Sequence, residues 1–321
     1  MSDGHRILVV VDPTADDQPA VARAATLAQA LGCGIELFIC HYDPYLSGER
    51  FFDSPGLQKA RRDTMDAMLA RLARLAEPLA AEGLDVNTEV AWDTPLHEGI
   101  VRRALTAKPT LILKDTHYHQ ALRRSVFSNT DWNLIRTCPV PLWLVKPRAV
   151  ADRLRIVAAV DPMHEHDKPA SLDHIILREG ERLADATGGE LHAFHSYDPM
   201  PAIAGTATAV ATPISVPAED IGKELARSHG EALGELAETY RLSADRIHLH
   251  RGPAREVLPA VARELDAGLV IMGAVARGRL KRFFIGSTAE QVLDRLPCDV
   301  LVMKPDEFAT PVRLEDAAAR D

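Results

Sequence analysis

Two hydrophobic rhythms alternate along the chain. Compact apolar runs of strand length, such as IVAAV (156–160), LHAF (191–194), LVIM (269–272) and VLVM (300–303), are separated by stretches with apolar residues at helical spacing. Leu172, Ile175, Ile176, Leu183 and Ala186 fall on one helix face, and Ile221, Leu225, Leu233, Leu236 and Tyr240 on another. Gly188 and Gly189 stop the first of these helices, because a helix end commonly takes a left-handed residue that only glycine adopts without strain. A strand over 247–250 and a helix carrying Val257, Leu258, Val261 and Leu265 come next. The first half repeats the rhythm, its long helix carrying Met65, Met68, Leu72, Leu75 and Leu79. Strand cores apolar on both faces predict a parallel sheet covered by helices on each side. Such sheets bind ligands beyond the carboxyl ends of their strands, where Asp161, Ser196, Gly252 and Gly273 are expected to gather.

The rhythm is a duplication. ILVVVDP (7–13) returns as IVAAVDP (156–162), and GIELFICHYDP (34–44) as GELHAFHSYDP (189–199). DTPLHEGI (93–100) lines up with RGPAREVL (251–258), and PVPLWLVKP (139–147) with PCDVLVMKP (297–305). Pro253 and Lys304 both fall 158 positions after their counterparts Pro95 and Lys146, and two matches in one register argue for homologous repeats. The prediction is two domains, residues 1–150 and 151–321.

Chemistry concentrates after LVIM, in GAVARGRLKRFFIGST (273–288). Gly273 admits close approach of a ligand to the backbone. Gly286, Ser287 and Thr288 open a helix, and Ser287 with Glu290 fits a capping box, so free amides and the helix dipole make an anion site. Arg277, Arg279, Lys281 and Arg282 surround it with positive charge. The competing reading is a glycine turn, an N-cap and surface arginines.

These residues resemble a family signature. The second half is similar to a nucleotide-binding universal stress protein domain, whose G-x2-G-x9-G-[ST] pattern reads here as Gly273, Ala276 in place of the second glycine, then Gly286-Ser287. Asp161, the Gly252-Pro253 turn and DAGLVIMG (266–273) agree, and the resemblance extends over both halves to the family's tandem two-domain members. It implies two flavodoxin- or Rossmann-like domains of the adenine nucleotide alpha hydrolase-like kind, related by a pseudo-twofold. Strands 142–145 and 300–303 would pair across that axis, making an intramolecular pseudo-dimer, with a homodimer left open. It implies ATP or a related nucleotide, with or without Mg2+, in the second domain: Asp161 on the ribose, the backbone at His195 and Ser196 on the base, Gly252 and Pro253 as floor, and Gly273, Gly286, Ser287 and Thr288 on the phosphates. Alanine at 276 is strained by about 1 kcal/mol if the position needs positive φ, and Gly278 is placed to take over the bend. At most feeble ATP turnover or phosphorylation of Ser287 is implied, since no nucleophile elbow, HExxH or Walker lysine is present.

In the first half Gly273 becomes Asp115, Ala276 becomes Tyr118, Gly286 becomes Ser128 and Ala289 becomes Asp131. Two carboxylates beside the phosphate position predict that no triphosphate binds there. Lys114 is expected to be a buried lysine paired with Asp115 or Asp131. Histidines recur as His117/His119, His164/His166, His248/His250 and His192/His195. Residues two apart share a strand face, so His248 and His250 either meet one metal or are edge histidines.

With 321 residues, 46% hydrophobic content and a formal charge of −9, the chain has the composition of a globular protein of two domains, and nucleic acid and anionic membranes are poor partners. No apolar run reaches the roughly 20 residues of a membrane span, and the start has neither a cationic flank nor a cleavage site, so a cytoplasmic setting is expected. Four unpaired cysteines in or beside apolar runs fit a reducing compartment. The apolar insertion PMPAIAGTATAVATPISVPA (199–218) leaves a second function open: a non-catalytic carrier or sensor of an amphipathic ligand under that loop, or a purely structural interaction module.

Overall fold

The computed structural model describes residues 5–47, 54–119, 124–148, 153–163, 170–200, 217–274 and 292–314. Two compact units emerge, one of residues 1–150 with 307–321 and one of residues 151–306. The sequence reading ran the second domain on to residue 321; in the structure the described tail, 307–314, groups with the first unit instead.

The first unit runs β1 (Arg6–Val10), α1 (Pro19–Leu31), β2 (Gly34–His41), α2 (Pro55–Ala81), β3 (Val86–Trp92), α3 (Leu96–Ala107), β4 (Leu111–Asp115), β5 (His117–His119), β6 (Arg124–Val126), α4 (Asn129–Thr137) and β7 (Leu142–Val145). Five strands pair in parallel in the order β3-β2-β1-β4-β7. The short β5 and β6 form a separate antiparallel pair that the apolar pattern does not announce. The second unit runs β8 (Arg155–Ala159), α5 (Ala170–Thr187), β9 (Glu190–Tyr197), α6 (Ala218–Thr239), β10 (Ile247–Arg251), α7 (Ala254–Glu264), β11 (Leu269–Gly273) and β12 (Asp299–Met303). Its order is β10-β9-β8-β11-β12, again all parallel. Both sheets thus run 3-2-1-4-5 within their own unit, which is the Rossmann rather than the flavodoxin order, with the switch between the first and fourth strands.

The physical causes are those of the pattern. Ile7, Leu8, Val9, Ile112, Leu113, Trp143 and Leu144 in one unit, and Ile156, Val157, Val270, Ile271 and Leu301 in the other, are fully shielded strand cores. The stripes on the long helices hold: Leu72 and Leu79 are buried on α2, Leu233 and Ala237 on α6. Gly188, at φ 64°, closes α5 in the left-handed conformation, and the Gly189 amide donates to the Ala184 carbonyl at 2.8 Å. Among the described residues no helix is long and apolar enough to cross a membrane. None of the four cysteines is in a disulfide.

Candidate functional site

In the second unit the described site residues do gather at the carboxyl ends of strands. Asp161 follows β8, Ser196 stands near the end of β9 opposite His250, Gly252 and Pro253 link β10 to α7, and Gly273 ends β11. Ala276, Arg277, Gly278, Gly286, Ser287 and Thr288 lie outside the described residues, as do Arg279, Lys281, Arg282, Glu290, the His164/His166 pair and most of the apolar insertion.

Asp161 is positioned by a residue the sequence reading passed over. Its amide donates to Oδ1 of Asp173 at 3.1 Å, and Asp173, in the first turn of α5, is only 1% exposed. The first unit has the same device with a neutral side chain: the Asp12 amide donates to Oε1 of Gln18, directly before α1, at 3.3 Å. The signal in the sequence is a polar residue opening the helix after the first strand.

Gly252 has φ 131°, a conformation that strains any residue with a Cβ, and its amide donates to the Tyr197 carbonyl at 2.8 Å. The turn therefore needs this glycine, and it delivers Pro253 to the head of α7. Gly273 has a packing role that its place in the motif does not announce. A Cβ there would lie 2.5 Å from Cδ2 of Leu172 and 3.5 Å from Cδ1 of Ile176, so the missing side chain lets α5 pack directly on β11. Its backbone still ends the strand at the switch point.

The His195 ring is engaged by protein groups. It is 3% exposed, its Nδ1 is 3.1 Å from the Val160 carbonyl, and its Nε2 is 2.7 Å from Nδ1 of His229, itself 1% exposed on α6. Tyr197 stacks on the same His229 ring, at 5.3 Å between centroids. His229 sits on the apolar stripe between Leu225 and Leu233, which is why the stripe alone did not mark it. A second pair joins β9 to β10: His192 Nδ1 and His248 Nε2 are 3.0 Å apart, and His250 stacks near His248 and Phe194. His248 thus spends a ring nitrogen on His192. Among the described residues no group of three or more His, Cys, Asp or Glu is arranged to hold a metal ion.

Burial, more than any charge, lowers the pKa of His192 and His248 below the usual 6.5. The facing groups are Glu190, Asp245, Arg246 and His248 for His192, and His250, Asp245 and Glu264 for His248. A depressed imidazole pKa means that the unfolded chain takes up protons first as pH falls. The stabilisation is complete above about pH 6.5 and is lost as pH drops towards the folded values. The urea midpoint should fall between about pH 7.5 and about pH 5.5, and His192→Gln should flatten that dependence. An unchanged dependence in the variant refutes the assignment.

The first unit presents a different end to its sheet. Lys114 Nζ lies 2.8 Å from Oδ1 of Asp131, which is fully buried, and donates to the Asp115 carbonyl at 3.0 Å. Of the two partners expected for Lys114, the ion pair is with Asp131. The other Asp131 oxygen, Oδ2, accepts from the Ser128 amide at 2.7 Å and from its hydroxyl at 2.8 Å, while Ser128 Oγ caps the Asp131 amide at 3.2 Å. That is a complete capping box at the head of α4. Asp115 Oδ1 accepts from the Ala20 amide in the first turn of α1 at 2.8 Å. Side-chain carboxylates therefore already occupy both helix heads.

Comparison with known proteins gives the following. The model of the universal stress protein family matches residues 4–146 and 153–304. A universal stress protein E of Photorhabdus laumondii is 31% identical over 315 residues, covering 98% of this chain and 99% of its own. Universal stress protein E of Escherichia coli K12 is 31% identical over 316 residues, at 97% and 98% coverage. Among solved structures, a universal stress protein of Pseudomonas aeruginosa UCBPP-PA14 described as putative in that work superposes with a TM-score of 0.72 at 27% identity, covering 95% of each chain.

Proposed function

The chain belongs to the universal stress protein family, and from that premise we propose that it is a cytoplasmic regulatory protein of the stress response whose second unit binds ATP or a related adenine nucleotide. In this reading Asp161 takes the ribose, the backbone about Ser196 meets the base, Gly252 and Pro253 form the floor, and the Gly286-Ser287-Thr288 helix start takes the phosphates, with or without Mg2+. The protein acts as a sensor rather than a catalyst.

The contrast between the two homologous loops carries the reading. Where the first unit buries Asp131 against Lys114 and the Ser128 amide, the second unit has Ala289, with a glycine, two hydroxyls and a cluster of arginines and lysine nearby in the chain. The segment Gly286-Ser287-Thr288 keeps the residue types that suit an external anion at a helix start. Asp161, whose amide donates to the Asp173 carboxylate, and the Gly252 turn, whose amide donates to the Tyr197 carbonyl, support it.

Calorimetric titration of the full-length protein with ATP tests this. Saturable binding is expected, weakened roughly tenfold or more (about 1.4 kcal/mol) by Gly286→Asp, which puts a carboxylate at the phosphate position. A folded protein that takes up no ATP at millimolar concentration sinks the reading.

A further inference from the structure

The first unit, whose own carboxylates occupy both helix heads, holds a cavity of about 290 Å3 at the carboxyl ends of β1, β2 and β4. At the packing density of protein interiors this space accommodates roughly 15–20 non-hydrogen atoms. Its apolar lining comes from Val10, Val11, Leu96 and Ile100. Cys40 adds a sulfur that is chemically quiet: burial, reinforced by Asp93, pushes its thiol up to about 12, so it remains S–H. His41, lowered by burial, adds a neutral imidazole at pH 7.

The polar part of the lining defines what fits. Lys114 reaches the cavity and has three N–H donors; the Asp115 carbonyl takes one at 3.0 Å, and the Asp131 carboxylate faces the ammonium as an ion pair at 2.8 Å. Donor capacity therefore remains for an acceptor atom inside the cavity. The charge balance is negative: Asp12 and Asp115 line the space and Asp131 stands behind Lys114, three carboxylates against one ammonium. An anionic ligand meets repulsion in a site where water is scarce, and the two helix heads that would attract it are already filled by Asp131 and Asp115. An uncharged molecule meets none of this. It exchanges water for apolar wall, gives an acceptor to Lys114 Nζ, and offers hydroxyl or amino donors to the Asp12 carboxylate, whose Oδ1 also accepts from the Thr14 amide and hydroxyl at 2.8 and 2.7 Å.

We propose that the cavity of the first unit is a binding site for an uncharged, hydroxyl- or amino-bearing heterocycle of about nucleoside size, and that Asp131 excludes phosphorylated counterparts of the same molecule. The tandem chain then reads two ligands of different charge, one in each unit. This inference is independent of the nucleotide reading of the second unit, and either stands if the other fails.

Adenosine and uridine serve as uncharged probes and ATP as the charged counterpart, each titrated into the full-length protein. Methyl chemical shifts of Val11 and Ile100 report the first-unit cavity directly, so binding in the second unit does not confuse the result. The expected outcome is saturable movement of these methyls with at least one nucleoside, and an affinity for ATP at that site at least roughly tenfold weaker. Leu96→Trp, at a cavity-lining position that is 39% exposed, fills the opening and abolishes the shifts with the fold retained. If neither nucleoside moves the methyls at millimolar concentration, or ATP moves them as readily, the proposal is overturned. Because those shifts are read in the native protein, the proposal is decided even if Leu96→Trp does not fold.

Discussion

Replacing Asp131 by alanine is expected to destabilise the protein by about 3–5 kcal/mol, the scale for breaking a buried ion pair by removing one partner. The side chain is fully buried, its partner Lys114 is only 12% exposed, and the two are 2.8 Å apart. Truncation leaves the ammonium without its counter-charge and strips the Ser128 amide of its acceptor. Losing half of a capping box adds to the cost, on the order of 1 kcal/mol within that total. Asp131→Asn keeps the shape and some hydrogen bonding but not the charge, and should fall in between. The double variant Lys114→Met/Asp131→Ala should recover most of the loss, because an apolar pair of similar volume carries no desolvated charge. Equilibrium urea unfolding measures all three. A loss under about 1 kcal/mol for Asp131→Ala would falsify the account of the pair.

Gly189→Ala is expected to cost about 3 kcal/mol, the upper part of the range for forced overpacking. The added Cβ would run into the backbone carbonyl oxygen of Leu154, a group that accepts the Glu190 amide at 2.9 Å and so ties the start of β8 to that of β9. Backbone cannot swing aside, and both strand starts must shift. Gly34, the duplicate of Gly189, is the internal control. There a Cβ would first meet Nη1 of Arg6 at 2.8 Å, the far end of a flexible side chain, with the Asp85 carbonyl at 3.2 Å. Arg6 gives up an exposed pair with Asp85 and a long bond to the Ile35 carbonyl at 3.4 Å, so Gly34→Ala should cost about 1 kcal/mol. Equal costs for the two substitutions, read from urea midpoints at constant m, show that the Leu154 carbonyl yields more than the geometry allows.

Much of the fold was legible because it rests on local rules. Apolar strand cores, helical stripes and the glycine stop at Gly188 each express short-range sterics or burial, and the duplication repeated every signal. What escaped depends on partners distant in sequence. His192 and His248 are 56 positions apart and meet only because β9 and β10 pair in register, a contact that the spacing of His248 and His250 does not announce. Gly273 shows the limit of motif reading: a glycine that admits a ligand and one that admits Leu172 look alike in sequence. The Lys114 pair was foreseen as a choice between two carboxylates, which only the turn of α4 resolves in favour of Asp131. Within the candidate site, Asp161 and the Gly252 turn stand where the pattern put them, whereas the role of Asp173 follows from a helix start whose orientation is a tertiary matter.

The carboxylate at the head of α4 also has a thermodynamic meaning. Asp131 is covalently present at all times, so its contribution to the first unit does not vary with the concentration of anything in solution. A unit that takes its anion from outside is stabilised by mass action, by about 2.7 kcal/mol when free ligand is a hundred times its dissociation constant. The anion of the first unit would then be constant, and that of the second would vary with its concentration. As nucleotide supply rises and falls, the unfolding of the second unit should track it while that of the first stays put.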